Sequence, residues 1–248
     1  MAFVKSLPKK ALGLGVLALI FSSCKLPTFG QSSGATSQAQ HENHLFQAFV
    51  VAGIIVGVLV FILLIWPVIF HRRKSEEIPR QFFEHIPLEF VYTIIPFIIV
   101  IGLFVATVLT ENKVDAVTPN PDARVTVLAY QWGWRFEYPS GPTVYSHDVV
   151  LGQHDTYPTM VLPLGETTQI TLKSLDVVHG FYVRDFNFSR YAQPGVTNVF
   201  DLTTTRAGYF IGQCTQFCGL NHDLMLFRVH VVPPSQFQQW IQTKGASL

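Results

Sequence analysis

Two kinds of hydrophobic pattern divide this chain. From Leu45 to Phe70 no charged residue occurs. As a helix rising about 1.5 Å per residue, that run covers about 39 Å, more than the ~30 Å of a bilayer's hydrocarbon. A transmembrane helix is therefore predicted over 45–70, with Pro67 near its end. A second is predicted over 87–110, with Glu89 near its start and Pro96 within it. The loop between them, 71–86, carries Arg72, Arg73, Lys74 and Arg80. Lys/Arg bias sets orientation, so this loop is expected in the cytoplasm and both flanks outside. From about Asp122 the pattern becomes short alternating runs, among them "RVTVLAYQW", "TTQITLKS", "TNVFDLTTT", "GYFIGQC" and "MLFRVHVV". Period-two alternation broken by Gly, Pro and Asp predicts a β-sandwich or Greek-key barrel. This outward domain is read as 111–234, closed by a helix over 235–248 that begins in "PSQFQQWIQTK".

The N-terminus adds a third pattern. Lys5, Lys9 and Lys10 precede an apolar run from Ala11 to Phe21, followed by Ser22, Ser23 and Cys24. That order reads as a signal peptide over 1–23. Cys24 then stands where a bacterial lipoprotein carries its lipid, although Phe21 sits where Leu is usual. An uncleaved anchor helix with an incidental cysteine is the alternative. Residues 24–44, rich in Ser, Gly, Ala and Gln from Gln31 to Gln40, are read as a linker.

Composition agrees with this division. Of 248 residues 49% are hydrophobic and 13% charged, about half the charge of an ordinary soluble domain. The net charge of +1 gives no reason to expect nucleic acid or a polyanionic substrate.

Chemistry is concentrated in "GQCTQFCGLNHDLM", Gly212 to Met225. The chain has three cysteines and three methionines, and this loop holds Cys214, Cys218 and Met225 together with His222. A disulfide would suit an exported domain, but leaves His222 and Met225 unexplained. Zinc would use thiolate and imidazole, yet its usual sites gain little from a thioether. A single-copper electron-transfer site needs Cys, two His and a weak axial Met. Cys218, His222 and Met225 meet that need between the last two strands, and "DVVHGFYV" offers His179 as the second imidazole. Cys214 remains over, and two sulfurs so close can bridge two metal ions.

With these residues in view, the chain resembles subunit II of cytochrome c oxidase along nearly its whole length after the signal region. The likeness rests on "HGFYV", "CTQFCGLNHDLM", "PGVTN", "QWGWRFEY" and "LEFVYTIIP", and "FHRRK" with "IPRQF" looks most actinobacterial. It implies a membrane-anchored all-β protein, with two transmembrane helices followed by a cupredoxin-like Greek-key β-barrel. It also implies a dinuclear copper centre of the CuA type. Cys214 and Cys218 would bridge the coppers, and His179 and His222 would bind one each. Met225 would complete one copper and the backbone carbonyl of Gln216 the other.

The resemblance carries further expectations. Trp132, read with Trp134, Phe136 and Tyr138 as one face of a strand, would be where electrons arrive from cytochrome c. Glu89 would admit protons, or merely favour its helix terminus through the macrodipole. Gln216 replaces a common Glu, so a neighbouring magnesium site would be weak, absent or built from other ligands. Haem and CuB would lie only in subunit I. Partners would be subunits I and III and cytochrome c, or a bc1-type complex with a bound cytochrome c domain. From Glu111 onward eleven acids face nine bases, a modest charge for steering. No Cys-x-x-Cys-His occurs, so no c-type haem is expected on this chain. The chain would sit in a bacterial plasma membrane with its copper domain outside. A CuA-type nitric oxide reductase subunit and a copper-delivery lipoprotein are the alternatives.

Overall fold

Helix α1, Ser37–Phe70, and helix α2, Ile86–Val114, open the computed structural model. It describes residues 28–72, 76–78, 81–139, 141–145 and 157–243. The expected signal peptide, Cys24, Arg73, Lys74 and Arg80 lie outside these. Both helices are long and apolar enough to cross a membrane. Side chains such as Ile55, Leu63, Phe90 and Ile98 stand exposed along them, an arrangement that water alone penalises and lipid removes.

The structure departs from the linker expected over 24–44. Helix α1 starts at Ser37, ahead of the apolar span, with the Thr36 hydroxyl accepting from the Ala39 N–H at 3.1 Å. Just before it the chain is held on the β-domain. Ala35 N–H donates to the Asp185 carbonyl at 2.7 Å, and Thr205 N–H donates to the Ala35 carbonyl at 2.8 Å. Ala35 and Thr36 are fully buried. Small side chains read as a linker by composition, and the same smallness allows this close backbone approach.

Among the described residues the domain holds ten strands. They are β1 Ala123–Tyr130, β2 Gly133–Glu137, β3 Thr143–Tyr145, β4 Thr159–Pro163 and β5 Thr167–Ser174. Then come β6 His179–Val183, β7 Phe188–Ala192, β8 Asn198–Thr203, β9 Gly208–Cys214 and β10 Leu226–Val232. One sheet runs β3-β2-β1-β5-β8 and the other β4-β10-β9-β6-β7. β1 with β5 and β4 with β10 are parallel, and the remaining pairs are antiparallel. Helix α3, Pro234–Gln242, follows β10.

Alternation decides what fills the space between the sheets. On β5 Thr168, Ile170 and Leu172 point inward, and on β10 Phe227, Val229 and Val231 do so. Trp134 and Phe136 reach from β2 to Phe227, with ring centroids at 5.1 and 5.6 Å. Phe181 stacks on Phe227 at 5.0 Å. Each such side chain contributes about 1.5–3 kcal/mol on burial.

The aromatic run behaves differently from the single strand face expected of it. Trp134 and Phe136 are core residues of β2, and Tyr138 lies beyond its end. Trp132 is in the two-residue turn between β1 and β2, since Tyr130 pairs with Gly133. Even spacing carried the alternation through a turn whose tip, Gln131 and Trp132, has no Gly, Pro or Asn to mark it.

Tyr138 fastens α3 to the sandwich. Its ring meets Trp240 edge-on at 4.9 Å, and its hydroxyl accepts from Val161 N–H at 2.7 Å while donating to Val161 O at 3.0 Å. Burial, opposed by the Val161 hydrogen bond, raises its pKa well above the ordinary tyrosine range. Tyr138→Phe is expected to cost about 1–3 kcal/mol, because it strands a buried N–H of β4. Chemical denaturation of the purified chain measures that loss.

Candidate metal centre

Three strand ends build the site. β6 begins at His179, β9 ends at Cys214 and β10 begins just after Met225. β6 pairs with β9 so that Phe181 faces Cys214, and Cys214 N–H donates to Met225 O at 3.0 Å across the β9–β10 ladder. One end of one sheet therefore gathers residues from positions 179 to 225. Gly180 permits the closeness, because a Cβ there would lie 2.4 Å from Thr215 Oγ1. Thr215 N–H instead donates to Gly180 O at 3.1 Å.

All six residues expected as ligands meet here. Cys214 Sγ and Cys218 Sγ are 3.8 Å apart and neither is in a disulfide, a bond that would need about 2.05 Å. Cys214 Sγ lies 3.9 Å from His179 Nδ1 and 3.2 Å from the Gln216 carbonyl. Cys218 Sγ lies 3.5 Å from His222 Nδ1 and 3.8 Å from Met225 Sδ. The donors thus form two groups, one around each sulfur. The ligand atoms of His179, Cys214 and Cys218 all fall within 4.8 Å of one another. His179, Cys214, Cys218 and Met225 are buried, and His222 is half-buried.

The charges are arranged for a cation. Burial works against ionising Cys214, but its contact with the His179 imidazole and the hydrogen bond from Gly180 N–H bring its thiol down to about 6. Burial and the negative charge of Cys214 push Cys218 up to about 12. A metal that takes both sulfurs must displace the second proton, so binding and proton release are linked.

His179 is held in place from behind. Its Nε2 faces Asp176 Oδ1 at 2.8 Å, which leaves Nδ1 turned toward Cys214. Asp176 also accepts from Val177 N–H at 2.6 Å and Gln131 N–H at 2.7 Å. Burial opposes its ionisation, yet the His179 bond and these two N–H donors keep its carboxyl below the usual range. A carboxylate behind a ligating histidine fixes the tautomer. Nothing in its type marks Asp176 in the sequence, although its place three residues before His179 is a usable signal. Asp176→Ala is expected to weaken copper binding about 10–100-fold, as read by competition with a chelator.

The remaining expected residues lie apart from this cluster or at its edge. Trp132 is half-buried and its indole N–H donates to Cys218 O at 3.1 Å. Glu89 is at the start of α2, where its Oε1 accepts from His85 N–H at 3.1 Å. His85 Nδ1 in turn accepts from Leu88 N–H at 3.3 Å, so the pair caps the helix reciprocally.

The donor set fits copper. Two thiols, two imidazoles, a thioether and a carbonyl exceed what four-coordinate zinc uses, and soft sulfur with imidazole suits copper. Comparison with known proteins gives the family. Residues 124–232 match "Cytochrome C oxidase subunit II, periplasmic domain" and residues 26–108 match its transmembrane domain. A probable cytochrome c oxidase subunit 2 of Nocardia farcinica is 32% identical, covering 95% of this chain and 80% of that protein. One from Streptomyces avermitilis is also 32% identical, over 94% of this chain and 85% of that protein. The crystal structure of the periplasmic domain of subunit II of cytochrome oxidase from Bradyrhizobium japonicum is 26% identical. It covers 52% of this chain and 96% of its own, with a TM-score of 0.46. On the two family matches and these relatives, this membrane-anchored chain belongs to the cytochrome c oxidase subunit II family.

Proposed function

We propose that this chain is the electron-accepting subunit of a proton-pumping haem–copper oxidase, holding two coppers between Cys214 and Cys218. The carrying observation is the pair of unbridged, buried sulfurs 3.8 Å apart, each with its own imidazole. His179 and the Gln216 carbonyl would complete one side, and His222 and Met225 the other. When bound, the copper pair supplies one-electron redox chemistry. The chain's residues supply the conditions for it. Cys214, Cys218, His179 and Met225 exclude water, and Asp176 fixes the imidazole of His179. Rigid, dry surroundings keep the environment from rearranging as charge changes.

Trp132 is where electrons from cytochrome c arrive in this reading, supported by its bond to the backbone of Cys218. Haem in subunit I receives them, and oxygen is reduced there. The β-domain faces the outside of a bacterial plasma membrane, and subunits I and III cover the exposed apolar helices. Glu89, at the cytoplasmic start of α2, assists proton uptake. Gln216 lacks the charge that magnesium prefers, so the neighbouring magnesium site is weak, absent or built from other ligands. Cys24 carries lipid if the N-terminal segment is processed as a lipoprotein signal.

Copper added to the purified full chain in detergent tests the central claim. Two coppers per chain and an unpaired electron shared over two copper nuclei are expected. A single-copper spectrum, or a colourless tightly bound copper, would sink it. In the loaded chain Trp132→Phe should slow reduction by cytochrome c and leave that spectrum intact.

A further inference from the structure

Cys218 O is held from two directions by one turn. Gln131 Nε2 donates to it at 2.7 Å and Trp132 Nε1 at 3.1 Å. A carbonyl oxygen has two lone pairs, and both are taken. The same turn reaches the other imidazole side, because Gln131 N–H donates to Asp176 Oδ2 at 2.7 Å and Asp176 Oδ1 faces His179 Nε2 at 2.8 Å. Gly219 lets the loop come this near. Its φ is +119°, and a Cβ there would lie 3.0 Å from Trp132 Cζ2 and 3.2 Å from Gln131 Nε2. Side chains and backbone from β1–β2, the β5–β6 connection and the β9–β10 loop thus close one ring. Gln131 enters that ring twice, once through each end of the residue.

We propose that Gln131 is a positioning residue, whose side-chain amide locks the Cys218 peptide to the turn that carries Trp132. Its main-chain N–H ties the same turn to His179 through Asp176. Trp132 alone would leave the loop hinged on a single longer bond. With Gln131 added, the peptide of Cys218 has one allowed orientation and the indole is held beside it. Small misplacements are costly where groups must stay in register, on the order of a hundredfold for 1 Å. Only the copper-loaded half of the following test rests on the copper reading.

The full chain in detergent carrying Gln131→Leu or Gln131→Glu removes the amide donor and keeps the main-chain bond to Asp176. In the metal-free chain, the indole N–H of Trp132 is expected to exchange with solvent about tenfold faster in both variants. Nitrogen-labelled tryptophan, assigned with Trp132→Phe, gives that readout without any metal. In the copper-loaded chain both variants should still bind copper, with altered hyperfine coupling and a shifted reduction potential. Wild-type indole exchange in both variants would overturn the proposal. Faster exchange with an unchanged copper spectrum and potential would overturn its Cys218 part. A wild-type chain that takes up no copper pair would count against the copper reading, while the exchange rates would still decide the role of Gln131.

Discussion

Cys218→Ser is expected to leave the chain with no two-copper centre and less than about one-hundredth of its cytochrome c oxidation. The expectation follows from how many donors meet at this sulfur. Cys218 Sγ is 3.8 Å from Cys214 Sγ, 3.5 Å from His222 Nδ1 and 3.8 Å from Met225 Sδ. A serine oxygen is harder than a thiolate and suits copper poorly. Loss of a partner behind a ligand already costs 10–100-fold, so loss of the shared ligand itself should cost more. The mutant retains Cys214 with His179 beside it. One copper can therefore remain, and its spectrum would show coupling to a single nucleus. Copper analysis together with paramagnetic resonance decides the matter. Two coppers and a shared electron in Cys218→Ser would mean that Cys218 does not bridge.

Trp134→Ala is the substitution expected to damage the fold most. Trp134 is fully buried, with ring centroids 5.9 Å from Phe181 and 5.1 Å from Phe227. Its indole N–H donates to Met225 O at 3.3 Å, immediately beneath the loop. Removing it should cost about 3–5 kcal/mol, the usual range for Trp or Phe to Ala in a core. For a domain of this size that is a fall of roughly 10–20 °C in the unfolding midpoint. Near-ultraviolet dichroism on the metal-free chain measures it without the stabilisation that bound copper would add. Trp134→Phe keeps a ring against Phe181 and Phe227 and should lose much less. A loss below about 1 kcal/mol in Trp134→Ala would show that the two sheets do not depend on this side chain.

Much of the chain could be read in one dimension because the relevant energies are local. An uncharged run such as Leu45 to Phe70 implies lipid wherever it sits, since each side chain answers to its own solvent. Strands of the β-domain were visible because alternation sorts neighbouring residues to opposite faces. The loop from Cys214 to Met225 was legible because its ligand types fall within one turn of chain, and His179 stood out by its imidazole in a strand-rich stretch. Contacts between distant segments were another matter. Gln131 and Cys218 are 87 residues apart, and no periodicity links them. Trp132 looked like part of a strand because the alternation ran unbroken through its turn. Ala35 and Thr36 looked like linker because small residues read the same whether docked or loose. Asp176 lies only three residues before His179, but its tie to the Gln131 turn, 45 residues away, came only with the fold. Sequence alone determined the membrane anchor, the β-rich domain and the set of candidate ligands, all consequences of how each residue meets its nearest surroundings. Tertiary structure alone decided which turn would hold the Cys218 carbonyl and Asp176 still, because two packed sheets place segments together that have no contact along the chain.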